Sequence, residues 1–147
     1  YYSAMGYVIY HFPFAVADDL FARTIFQNME VRFLKYSSNP KIVLERMNNL
    51  SFFIATRLHS HIFALIKKIP LISIGYGVKC QSLFNYVQSK KNNQLTQNDL
   101  LRFQGDLDGQ MNFLLSITPV VLSDKQLQFF SDEVSSAVAK CTHSILD

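Results

Sequence analysis

Arg57 and His59 stand two residues apart where an apolar run gives way to a helical pattern, so a cation and a titratable ring share one expected helix N-terminus. The unpaired backbone N–H groups of such an end, with the positive end of the helix dipole, already favour an anion. Arg57 adds a planar fork that matches carboxylate or phosphate, and His59 adds a titratable ring. Anion binding is the chemistry this helix end suits, while a histidine in such a first turn is, on its residues alone, more often structural than catalytic.

The flanks supply the elements that must position the pair. Leu50-Ser51-Phe52-Phe53-Ile54-Ala55-Thr56 is a short run rich in apolar and β-favouring residues, which predicts a strand buried on both faces. Leu58, Ile62, Leu65, Ile66 and Ile69 then fall at helical spacing, with a stop at Pro70. Leu71-Ile72-Ser73-Ile74 reads as a second buried strand running into Gly75-Tyr76-Gly77, whose glycines let backbone approach a ligand closely.

The pattern extends to both sides. Tyr7–Phe12 is a strand closed by Pro13, and Val16 to Met29 has helical spacing with Asp18 and Asp19 in its first turn. Val31–Tyr36 alternates like a strand, Asn39-Pro40 fits an N-cap with proline at the first helical position, and a short helix runs from Pro40 to Met47. After Tyr76, the residues Cys80, Leu83, Phe84 and Val87 share a helix face. Strands alternating with helices predict an α/β fold, a Rossmann-like, mostly parallel sheet with flanking helices.

Ligands in that architecture sit beyond the carboxyl ends of strands. His11, Tyr36, Arg57, His59, Tyr76 and Lys79 fall at or just after expected strand ends and are expected to converge on one rim. His61 lies roughly 200° around a helix from His59, so it is read as a packing or hydrogen-bonding residue. From Lys90 the chain turns polar; Thr96-Gln97-Asn98-Asp99 looks like a helix start, Gln110 to Ile117 like a short helix, and Ser123 to Gln126 like a capping box. The expected organisation is one partial Rossmann-like domain over residues 1–147, expected to lack its first strand, with the site in an alternating part at 1–90 and a helical tail at 91–147.

Composition bounds the rest. A chain of 147 residues, 49% hydrophobic and 17% charged, with 13 Phe and 7 Tyr, sustains the core of one globular domain. No apolar stretch reaches the roughly 18 residues a membrane helix needs. A net charge of +3 with scattered Lys and Arg lacks the basic stripe of a nucleic-acid face. Cys80 and Cys141 have no metal-type spacing and are expected as reduced thiols, with no metal site implied.

Three blocks taken together resemble the C-terminal part of the polysaccharide pyruvyl transferase family. They are Val8-Ile9-Tyr10-His11-Phe12-Pro13-Phe14 with Asp18-Asp19, then Ile54-Ala55-Thr56-Arg57-Leu58-His59-Ser60-His61-Ile62-Phe63-Ala64, then Ile69-Pro70-Leu71-Ile72-Ser73-Ile74-Gly75-Tyr76 with Lys79. The resemblance covers roughly Gly6 to Leu83 and implies a glycosyltransferase-B-like pair of Rossmann-type domains. It implies transfer of the pyruvyl group of phosphoenolpyruvate onto sugar hydroxyls during synthesis of cell-surface polysaccharide, without a separate cofactor. It further implies Arg57 and Leu58 as donor-binding residues, His59 as the catalytic general acid, and Tyr76, Lys79 and His11 as further substrate contacts.

The expected partners are phosphoenolpyruvate, a glycan acceptor and an N-terminal domain of the same protein; the expected location is the cytoplasm, including the membrane surface where lipid-linked glycans are made. In the family an aspartate commonly follows the tyrosine of the third block, where Gly77 stands here, and a strand ending in a second arginine precedes the first block. The chain is therefore expected to be a fragment that is inactive alone. Two other classes stay open: a nucleotide-sugar glycosyltransferase of the same architecture, and a non-catalytic remnant or interaction module.

Overall fold

Pro13 and the two aspartates after it set the first turn of the fold. In the computed structural model, which describes residues 2–75, 77–86, 94–96, 102, 105–117, 119–129 and 131–132, strand β1 (Ile9–His11) ends just before Pro13 and helix α1 (Val16–Ile25) begins three residues later. Asp18 Oδ2 accepts the Phe14 and Ala15 N–H groups at 3.1 and 2.9 Å, satisfying donors that the helix start leaves over. Strand β2 (Val31–Phe33) pairs with β1 in parallel, Ile9 against Val31 and His11 against Phe33. Helix α2 (Pro40–Met47) carries the expected cap: Asn39 Oδ1 accepts from Lys41 N–H at 3.0 Å, with Pro40 next to it.

The chain divides into two compact units, Tyr1–Asn48 and Asn49–Asp147. The first contains the two-stranded sheet β1–β2. The second contains strand β3 (Phe53–Ala55), helix α3 (Leu58–Ile66), strand β4 (Leu71–Gly75), helix α4 (Val78–Tyr86), strand β5 (Gln94–Thr96) and helix α5 (Leu107–Ser116). Its sheet order is β3–β4–β5, parallel throughout, with Phe53 paired to Leu71 and Ser73 to Gln94. The α/β, parallel-strand expectation holds in both units.

The differences from the sequence reading lie at element ends and in β3, which was expected to be buried on both faces but leaves Ile54 exposed. Strands are shorter than their apolar runs: Leu50 to Phe52 and Leu34 to Tyr36 lie outside the ladders. Gln94–Thr96, read from composition as polar loop and helix start, forms an edge strand on β4. Polar residues suit an edge strand, so polarity alone misdirects there. Val120 adds an antiparallel bridge to Leu71. The helix expected at Gln110 to Ile117 is α5, beginning at Leu107. The stretch beyond residue 132, including Cys141, lies outside the described residues.

β4 is the centre of the second unit. Leu71, Ile72 and Ser73 are essentially inaccessible, and Ile72 packs with Phe52, Ile74, Phe113 and Ile117. An inner strand of a parallel sheet has both faces covered, which explains its unbroken apolar run.

Helix α3 stops through a Schellman arrangement. Ile69 N–H donates to Ala64 C=O and Lys68 N–H to Leu65 C=O, each at 3.0 Å, with Ile69 and Ala64 buried. The residue that turns the chain is Lys68, at φ 53°, where glycine carries no steric cost. Its ion pair with Asp124 is solvent-exposed and contributes little. Lys68→Gly is expected to raise unfolding free energy by about 0.5–1 kcal/mol, read as a higher urea midpoint at unchanged slope.

Candidate functional site

The parallel pairing of β3 with β4 brings the N-terminus of α3 and the N-terminus of α4 to the same rim of the second unit, because each helix starts at the carboxyl end of its strand. Arg57 is the N-cap of α3, in extended backbone at φ −89° and ψ 144°, and its side chain does not cap the helix. Leu58 and His59 form the first turn, Leu58 half-buried and His59 exposed. Lys79 lies exposed in the first turn of α4. The Cys80 thiol beside it points back to the Thr56 carbonyl at 3.9 Å, which ties the start of α4 to the turn that carries Arg57.

Beneath this rim is a buried polar cluster. The Arg57 carbonyl accepts three donors: the His61 backbone N–H at 3.2 Å, the Ser60 hydroxyl at 2.6 Å and His61 Nδ1–H at 2.6 Å. A carbonyl can only accept, so Nδ1 bears the proton in this neutral ring. Nε2 then accepts from the Ser73 hydroxyl at 2.8 Å. Ser60, His61 and Ser73 are all buried, and Phe84 meets the imidazole edge to face at 5.6 Å. Sequence periodicity finds His61 as a packing or hydrogen-bonding residue, and the structure shows both roles.

Burial lowers the His61 pKa below 6.5, against a smaller upward pull from the Arg57 carbonyl. The sign of the stability effect follows. A ring neutral in the folded state and free to protonate in the unfolded chain leaves stability intact above pH 6.5, and stability falls as pH drops below it. The urea midpoint is expected to be lower at about pH 5 than at about pH 7.5, and His61→Asn is expected to shrink that difference.

Of the other expected site residues, one is not described and two lie in the first unit. Tyr76 lies outside the described residues. Gly77 is exposed, its φ is not left-handed, and a Cβ built on it meets no atom within 4 Å, so neither backbone nor space dictates glycine there. His11 and Tyr36 belong to the first unit. His11 is half-buried against Phe26 and Phe33, with ring centroids 6.4 and 5.6 Å away, and its Nε2 is buried without a hydrogen-bond partner among the described residues. Burial lowers its pKa, against upward pulls from Asp19 and Asp18.

Cys80 is a free, buried thiol whose pKa burial raises, which leaves it protonated and poorly nucleophilic. No cluster of three metal-type ligands occurs among the described residues, and no helix among them is long and apolar enough to cross a membrane. The rim therefore offers an arginine at a helix N-cap, an exposed histidine in the same turn and a lysine on the neighbouring helix.

A family model described as polysaccharide pyruvyl transferase matches residues 1–78. No curated protein and no solved structure matches the chain.

Proposed function

The chain belongs to the polysaccharide pyruvyl transferase family, whose model spans more than half of its 147 residues, and we propose that its α3 rim binds phosphoenolpyruvate and moves the pyruvyl group onto sugar hydroxyls. The observation that supports this reading is the placement of Arg57 and His59 in one turn at a strand's carboxyl end, with His59 exposed. Phosphoenolpyruvate carries a phosphate and a carboxylate on an enol carbon. Arg57 and the N-terminus of α3 supply charge and N–H groups suited to the anionic parts.

In the proposed step, the His59 imidazolium gives its proton to the methylene carbon, and positive charge develops at the carbon bearing the phosphate. A sugar hydroxyl adds there and releases its proton to base. Cleavage of the carbon–oxygen bond to phosphate releases inorganic phosphate and leaves an oxocarbenium carbon, to which a second hydroxyl adds, giving its proton to the departing phosphate and closing the ketal. Helix N–H groups and Arg57 stabilise the departing phosphate.

The test uses the native protein, purified whole. Phosphate release from phosphoenolpyruvate that depends on added glycan is the expected result. Competition of that release by nucleotide sugars would favour the glycosyltransferase reading instead, and no release with any glycan would favour a non-catalytic module.

A further inference from the structure

The buried cluster beneath Arg57 is richer in polar groups than packing requires. His61 is fully inaccessible, and an apolar side chain of similar size would fill that volume without the cost of burying an imidazole. Every polar atom of that ring is spent on one geometry, Nδ1–H on the Arg57 carbonyl and Nε2 on the Ser73 hydroxyl. With the Ser60 hydroxyl and the His61 amide, three donors converge on a single carbonyl. Ser73 sits on β4, the central strand, so the cluster bolts the N-cap of α3 to the most buried part of the sheet.

We propose that His61 is a positioning residue for anion binding: through its Nδ1–H bond it fixes the Arg57 peptide, and with it the origin of the guanidinium and the direction of the first-turn N–H groups of α3. The inference rests on the reading of Arg57 as the anion anchor. A peptide free to rotate at the N-cap displaces both the guanidinium and the helix N–H groups, and each charge-assisted hydrogen bond to the anion lost in this way lowers affinity by roughly tenfold or more. His61 touches no substrate in this scheme.

Three variants of the intact protein separate positioning from mere filling. Asn places an amide N–H where Nδ1 stands, Gln places one where Nε2 stands, and Leu places none. His61→Asn is expected to keep KM for phosphoenolpyruvate and the affinity for inorganic phosphate within about threefold of wild type. His61→Gln and His61→Leu are expected to weaken both by roughly tenfold or more, with kcat changed far less.

Melting temperatures measured alongside complete the design. A His61→Leu protein with wild-type KM, or losses that follow melting temperature rather than the Asn-against-Gln contrast, overturns the positioning role while leaving the donor reading in place. A wild-type protein that binds inorganic phosphate through Arg57 but turns over no phosphoenolpyruvate removes the donor reading, and the phosphate affinities of the variants still decide the role of His61. A wild-type protein that binds neither anion overturns both.

Discussion

His59→Ala in the intact protein is expected to lower turnover of phosphoenolpyruvate by about 10²–10⁴-fold, the range that loss of a positioned general acid covers, with KM changed by no more than about threefold. His59 is exposed in the first turn of α3, so its removal takes away little packing, and the urea midpoint should stay near wild type. Arg57→Ala is expected to act on the other parameter, raising KM for the donor by roughly tenfold to a hundredfold, the loss of a charge-assisted hydrogen bond. Steady-state kinetics on both variants read the split. Near-wild-type turnover for His59→Ala would remove the histidine from the mechanism and leave Arg57 as an anion anchor alone.

The split matters because the two side chains share a turn but are held differently. Arg57 begins the helix, and its backbone is clamped by Ser60 and His61. His59 takes no part in the hydrogen bonds of that clamp. A guanidinium on a fixed peptide suits recognition, and an exposed ring in the first turn of the helix stays open to a bound substrate.

Much of this was legible in the residues. The change of period at Thr56 located the strand-to-helix turn, and Asn39-Pro40 located the start of α2, because caps and periodicity are local signals. Gln94–Thr96 was not legible, since a short edge strand takes its identity from the neighbour it pairs with, here β4, and not from its own composition. The outer part of the site was readable for the same local reason as α3. Its buried floor was not, because Ser73 and His61 are 12 residues apart and meet only when β4 lies beside α3. One signal did exist: a serine inside Leu71-Ile72-Ser73-Ile74 must have a partner if the run is buried, and His61, on the inward face of the preceding helix, was the available acceptor.

That central strand also decides stability, and Leu71→Ala is expected to destabilise the second unit by about 3–5 kcal/mol. Leu71 is wholly inaccessible, and its backbone is held on two sides: it pairs with Phe53 on β3, and its N–H and C=O exchange hydrogen bonds with Val120 at 3.0 and 2.8 Å. A strand fixed on both sides cannot sink into the space a truncated side chain leaves, so the cavity persists and the cost lies in the upper part of the range. The loss should be thermodynamic in origin. Denaturant unfolding is expected to show a lower midpoint at unchanged slope, with inorganic phosphate affinity of the folded protein retained, because the Arg57 clamp reaches β4 through Ser73, two residues further on. A loss of phosphate affinity in folded Leu71→Ala protein would instead mean that the position of the whole strand, and not the Ser73 contact alone, sets the geometry of the rim.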